Sequence, residues 1–110
     1  MKITVNTVDN ISVISIEGVI DGKTAPEAQT QVLSLLQPKS KLILDMRNVN
    51  YISSAGLRVL LLLYRQSKSQ SSRFALVGLA DEVKDVMKIT DFLQFFDVFD
   101  TVEAAKTALL

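Results

Sequence analysis

The sequence predicts an α/β fold: a mainly parallel sheet of four to five strands, with an N-terminal β-hairpin and about four helices. Two short apolar runs, Lys41–Asp45 and Arg73–Val77, have the length and composition of buried strands. Amphipathic segments that suit helices separate these runs, and strands joined by single helices pair in parallel through right-handed crossovers. The 110 residues are the size of one domain, so we expect residues 1–110 to share one fold.

The first predicted element is a β-hairpin. Its two strands, Lys2–Thr7 and Ile11–Glu17, alternate apolar with polar side chains, and Asp9-Asn10 between them favours a tight turn. A helix is then expected to begin at Thr24, because the Thr24 hydroxyl and the Glu27 carboxylate have the spacing of a capping box. The first half of the chain therefore runs strand, strand, helix, strand.

The second half of the chain predicts three more helices and two more strands. In order they are a helix at Ala55–Lys68, the strand at Arg73–Val77, a short helix from about Asp81, a small edge strand at Val98-Phe99 and a helix at Val102–Leu109. The first of these helices is apolar almost all round in its first half, which predicts deep burial. Four of the five phenylalanines lie between positions 92 and 99, where covering one end of the sheet is favoured over forming an exposed interaction patch.

The composition excludes several classes of function. Twelve Lys and Arg balance twelve Asp and Glu, so no basic surplus favours nucleic acid or anionic lipid. The longest apolar run, Val59–Tyr64, is far shorter than the roughly 20 residues of a membrane span, and the N-terminus lacks the pattern of a signal peptide. We therefore expect a cytoplasmic protein without direct membrane insertion. Cysteine and histidine are absent, so we expect no metal site, no cofactor and no enzymatic activity.

Two segments lie where parallel sheets commonly bind their ligands, at the carboxyl ends of strands. One is Asp21-Gly22-Lys23 after the second strand, and the other is the predicted loop Asn50–Ser54 after the third. A serine pair, Ser53 and Ser54, ends the second loop at the start of a helix. One of these serines could serve only as the N-cap of the helix. Alternatively, a hydroxyl at a helix N-terminus could accept a phosphate, which the helix dipole tolerates and which would change what docks there.

The segment around these serines resembles the phosphorylation site of the STAS-domain anti-sigma factor antagonists. The resemblance begins with Tyr51-Ile52-Ser53-Ser54-Ala55-Gly56-Leu57-Arg58-Val59-Leu60-Leu61. Gly18-Val19-Ile20-Asp21 is similar to the family's Gly-x-x-Asp after the second strand, and residues 89–105 resemble its C-terminal pattern. The three matches occur in the family's order and cover nearly the whole chain.

This resemblance implies a phosphorylation switch. An anti-sigma factor or serine/threonine kinase of the anti-sigma type would bind the unmodified protein and phosphorylate it, and a PP2C-type phosphatase would reverse the modification. In the family's Asp-Ser-[Ser/Thr/Ala]-Gly-[Leu/Ile] motif the acceptor follows the Asp, which corresponds here to Ser54. Ser53 stands in place of that Asp and is the second candidate acceptor. Asp21 carries over as the acidic residue beside the site.

The predicted partner-binding surface combines both segments. It comprises Asp21, Gly22, Lys23, Ser53, Ser54, Ala55, Gly56, Leu57 and Arg58, with Arg47 as a weaker addition. An alternative function is that of a constitutive structural subunit, because STAS-like domains also form cytosolic parts of anion transporters and lipid-trafficking ABC transporters. A nucleotide or small-molecule sensor is less favoured, since the chain has no Gly-rich phosphate-binding loop.

Overall fold

A computed structural model describes all 110 residues and contains a single five-stranded sheet in the order β1-β2-β3-β4-β5. The strands are β1 (Lys2–Val8), β2 (Ile11–Ile20), β3 (Lys41–Ile52), β4 (Arg73–Val77) and β5 (Asp97–Phe99). β1 is antiparallel to β2, and every other neighbouring pair is parallel. The predicted α/β class, the N-terminal hairpin and the small edge strand are confirmed.

Four α-helices connect or follow the strands. They are α1 (Ala25–Leu33), α2 (Ser54–Ser69), α3 (Asp81–Ile89) and α4 (Val102–Leu109), and a single 3₁₀ turn lies at Leu93–Phe95. The predicted bounds of α4 are correct, because its apolar residues recur with the period of a helix and polar residues flank them. None of the four α-helices combines the length and the hydrophobicity that a membrane span requires.

The sheet buries side chains on both faces. One face packs against α1, α2 and α3 in the larger core, and the other packs against α4 in a smaller one. Successive residues of β3 alternate between them, since Leu42 and Leu44 belong to the larger core and Ile43 to the smaller. The buried members of the smaller core are Ile11, Ile43, Ala75, Val77, Ala105 and Leu109.

β2 and β3 are longer than the sequence patterns predicted. The alternating pattern ended at Glu17 and the apolar run at Asp45, whereas the strands continue to Ile20 and Ile52 and pair with each other. The register shifts between Ser15 and Glu17 and again between Gly18 and Val19, and each shift places one extra residue in β3. These extra residues disturb the alternation of β3 that would have revealed its extension. The predicted loop Asn50–Ser54 is therefore wrong in its first three residues, which are strand.

Two predictions about the burial of apolar segments hold only in part. The first half of α2 is less deeply buried than expected, because Val59 and Leu61 are only partly buried. The predicted cover of phenylalanines over one end of the sheet holds only in part, because Phe95 is 42% exposed. Phe96 is buried, with its ring centroid 5.6 Å from that of Tyr64 and 6.3 Å from that of Phe74.

Candidate functional site

The junction between β3 and α2 consists of one residue, Ser53. Its backbone is extended, with φ −87° and ψ 174°, and its side-chain Oγ accepts a hydrogen bond of 3.2 Å from the amide of Gly56. Its own amide donates to the carbonyl oxygen of Ile20, at the end of β2, at 2.9 Å. Ser53 is therefore the N-cap of α2 and is held on both sides.

Ser54 is the first residue of α2 and has a different environment. Its side chain is exposed, and its hydroxyl has no hydrogen-bond partner within the protein. The amides of Ser54 and Ala55 begin the helix and have no acceptor inside it, so the positive end of the helix dipole lies at this surface. The two alternatives for the serine pair thus fall on different residues: Ser53 is the cap and Ser54 carries the free hydroxyl.

The segment after β2 forms a tight hydrogen-bonded turn. The carboxylate of Asp21 accepts from the amides of Lys23 at 2.9 Å and Thr24 at 3.1 Å. The hydrogen bond from the backbone amide of Thr24 lowers the pKa of Asp21 most, and the one from the amide of Lys23 adds to it. Together they hold this pKa below its ordinary value. Asp21 therefore stays charged at neutral pH while its side chain orders the turn, with Gly22 and Lys23 exposed at the tip.

The capping box predicted at the start of α1 is wrong. The Thr24 hydroxyl accepts from the amide of Asp21 at 2.9 Å and donates to the carbonyl oxygen of Val19 at 2.7 Å, so it faces back toward β2. The amide of Glu27 instead bonds the backbone oxygen of Thr24 at 3.1 Å. The physical reason is competition, since the turn offers the threonine hydroxyl both a donor and an acceptor before the helix begins.

The two predicted segments meet in the folded protein. The bond from the amide of Ser53 to Ile20 joins the end of β2 to the start of α2, and Asp21 follows Ile20 directly. Gly56 makes this approach possible: a Cβ at that position would lie 2.8 Å from the carbonyl oxygen of Ile20. The structure therefore brings the Asp21–Lys23 turn beside the first turn of α2.

The other predicted surface residues divide by exposure. Arg58 is exposed one turn after Ser54, on the same side of α2. Ala55 is half-buried, whereas Gly56 and Leu57 are buried and hold the helix against the sheet. The accessible surface at this end of the molecule is thus formed by Ser54, Arg58 and the tip of the turn.

Arg47 lies away from this surface. It shares the face of β3 that includes Ile43, which α4 covers, and its stem packs over Gly78. Its guanidinium forms an ion pair of 2.7 Å with Asp45, whose side chain is 6% exposed. Burial raises the pKa of Asp45, but hydrogen bonds from Arg47 outweigh burial and leave the pKa below its ordinary value. Arg47 is therefore a structural partner of Asp45, and its prediction as a neighbour of the serine site is wrong.

Sequence reasoning missed one feature beside the site. Val19 and Tyr51 are partners across β2 and β3, and both side chains are exposed. They project from the opposite side of the sheet to their buried neighbours Ile20 and Ile52. A sequence-based prediction that continued β3 through the two asparagines at positions 48 and 50 would have found this pair.

Comparison with known proteins assigns the family. A sequence profile of the STAS domain matches residues 2–105. A Bordetella bronchiseptica protein that bears the name anti-sigma factor antagonist BtrV is 31% identical over 109 residues, which cover 98% of this chain and 94% of the relative. The crystal structure of an anti-sigma factor antagonist from Mycobacterium paratuberculosis superposes with a TM-score of 0.86 at 25% identity, covering 98% of this chain and 92% of that one.

Two further solved structures share the fold at lower identity. The phosphorylated form of the Bacillus cell fate determinant SpoIIAA has a TM-score of 0.75 at 14% identity and covers 99% of this chain and 100% of that one. The murine anion transporter Slc26a9 has a TM-score of 0.81 at 16% identity, but the match covers 94% of this chain and only 18% of the transporter. The relative that matches nearly full length is named as an antagonist, which favours regulation over a transporter subunit. By its sequence profile and its fold, this chain belongs to the STAS-domain family.

Proposed function

We propose that this protein is an anti-sigma factor antagonist that binds an anti-sigma factor while Ser54 is unmodified and releases it when Ser54 is phosphorylated. The observation that carries the proposal is the exposed, unbonded hydroxyl of Ser54 at the first position of α2. A regulatory kinase needs such a hydroxyl, because the acceptor oxygen must enter the kinase active site without unfolding the substrate. The names of the relatives supply the class of partner.

The environment of Ser54 suits a phosphate. The free amides and the dipole at the start of α2 stabilise negative charge, and Arg58 and Lys23 are exposed cations close to the same end of the molecule. The modified protein therefore keeps its fold. A phosphoserine adds about two negative charges to a surface that also carries the ionised Asp21, so a partner fitted to the neutral hydroxyl is repelled.

Ser53 is the weaker acceptor for a structural reason. Its Oγ caps α2 through the amide of Gly56, so its phosphorylation requires that this bond be broken and the helix start rearranged. Asp and Ser are similarly good N-caps, so the serine that replaces the family's aspartate retains the start of the helix while it removes a charge. A kinase of the anti-sigma type is therefore expected to modify Ser54 and leave Ser53 free.

A phosphorylation assay tests the acceptor. The purified protein is incubated with ATP and a lysate of its source organism, and phosphate is located by mass spectrometry of peptides. We expect phosphate on Ser54 in the wild type and in Ser53→Ala, and none in Ser54→Ala. Addition of a PP2C-type phosphatase should remove it. Phosphate on Ser53 alone, or on neither serine, would contradict the proposal.

A binding assay tests the switch. With a purified anti-sigma factor of the serine-kinase type, we expect Ser54→Ala to bind as the wild type does and Ser54→Asp to bind at least about tenfold more weakly. Ser69→Asp, which adds the same charge to an exposed serine at the far end of α2, is the matched control and should retain binding. Equal binding by all variants would support a constitutive structural subunit instead.

A further inference from the structure

One edge of the sheet is open along its whole length. β1 is a terminal strand, and all seven of its residues pair with β2 on one side only. Six of the seven side chains are exposed, including Val5 at 40% and Val8 at 47%. These two valines lie on opposite faces of the strand, so apolar surface flanks the unpaired backbone groups on both sides.

The open edge lacks the devices that keep sheet edges from pairing. From Ile3 to Val8 there is no charged residue and no proline, and the residues are mostly β-branched. The opposite edge is protected, because β5 is only three residues long, begins with Asp97 and is followed by Asp100. The molecule therefore has one edge suited to adding a strand, and that edge is β1.

We propose that β1 pairs antiparallel with β1 of a second copy of this chain, joining the two sheets into one of ten strands. Identical antiparallel strands are self-complementary about a two-fold axis, so each copy satisfies the backbone groups of the other. The chain carries no net charge, and no charged side chain between Ile3 and Val8 would face its like in the partner. Because β5 is protected, association stops at the dimer.

The dimer leaves the serine site accessible. α2 packs on α1, β3 and β4, so Ser54 lies on elements other than the free edge of β1. Each dimer would present two copies of the Ser54 surface. The inference rests on the edge alone and holds whether or not Ser54 is phosphorylated. Pairing along one short strand gives a small interface, so we expect a weak dimer whose population depends on concentration.

Sedimentation equilibrium of the full chain tests the dimer. Between about 10 μM and 1 mM, the weight-average mass should rise from 12.1 kDa toward twice that value. Val5→Lys places a charge near the two-fold axis in both copies and should weaken dimerisation by at least about tenfold. Val86→Lys is the matched control: this valine on α3 is 36% exposed and distant from β1, so its mass curve should equal that of the wild type.

Several outcomes would overturn the inference. One is a weight-average mass that stays at the monomer value up to about 1 mM, and another is a mass that rises above that of a dimer. A third is a Val5→Lys protein whose mass depends on concentration as that of the wild type does. Circular dichroism establishes that each variant is folded. If Val5→Lys is unfolded, Asn6→Lys takes its place, because Asn6 is an exposed polar residue of the same strand and tolerates the charge. Dimerisation of folded Asn6→Lys at wild-type strength would equally refute pairing through β1.

Discussion

Substitution of Gly56 by alanine should destabilise this protein, although the same change stabilises most helices. In an exposed helix interior, glycine costs about 1 kcal/mol relative to alanine. Here a Cβ would lie 2.7 Å from Cγ1 of Ile52, 2.8 Å from the carbonyl oxygen of Ile20 and 2.9 Å from Cγ2 of Ile20. Two of these atoms belong to side chains that can adjust, but the carbonyl oxygen is part of β2 and cannot.

The magnitude follows from the balance of these two effects. Overpacking of a buried site costs about 1–3 kcal/mol, and contact with a fixed backbone atom favours the upper part of that range. The gain in helix propensity offsets about 1 kcal/mol. We therefore expect Gly56→Ala to lower the free energy of unfolding by about 1–2 kcal/mol. Relief of the contact would move α2 away from Ile20 and lengthen the bond that holds Ser53.

Urea unfolding followed by circular dichroism measures this loss. With a slope of about 1–3 kcal/mol per molar urea, the midpoint should fall by roughly 0.3–2 M while the slope stays unchanged. Gly22→Ala is the matched control, since a Cβ there meets no atom within 4 Å. That control should be neutral or stabilised by up to about 1 kcal/mol. A Gly56→Ala protein as stable as the wild type would refute the argument that close approach of α2 to β2 requires glycine.

Two further predictions concern the cap and the ion pair between Asp45 and Arg47. Ser53→Ala should lose about 1 kcal/mol of stability because the cap is removed, whereas Ser54→Ala should stay within about 0.5 kcal/mol of the wild type. Equal urea midpoints for both variants would contradict the assignment of the cap. Because the pKa of Asp45 is lowered in the folded state, its contribution is present above the ordinary value of 3.8 and is lost as pH falls through the lower folded pKa. Arg47→Met removes the hydrogen bonds that lower that pKa, so it should reduce stability at neutral pH and shrink the loss of stability that Asp45 contributes on acidification. The urea midpoint between about pH 2 and 7 measures this, and an unchanged pH profile would refute the role of the ion pair.

Much of the fold could be predicted because its elements carry local periodicity. The alternation of β1 and the apolar stripe of α4 each lie within a few residues, so the period alone identifies them. The extension of β3 could not be found this way. Its two asparagines at positions 48 and 50 suggest a loop, and they join a strand only because the end of β2 pairs alongside.

In the candidate site, too, local sequence patterns predicted some features and missed others. The motif from Tyr51 to Leu61 was sufficient to indicate the family and to predict an acceptor at one of two adjacent serines. It could not show that Thr24 faces β2, because that depends on which backbone groups the turn after β2 leaves free. Arg47 was misplaced for a related reason: the face on which a strand residue lies is known only once the strand and its register are known.

The sequence by itself determined the fold class, the family and the serine pair, because each depends on patterns within a short stretch of chain. The tertiary structure decided which serine is free. The amide of Ser53 bonds to Ile20, and Gly56 allows the close approach that positions this bond. Ile20 belongs to another strand, distant in the chain, so no local pattern records the contact. With Ser53 held as the cap, the first helical position falls to Ser54, and its hydroxyl remains exposed.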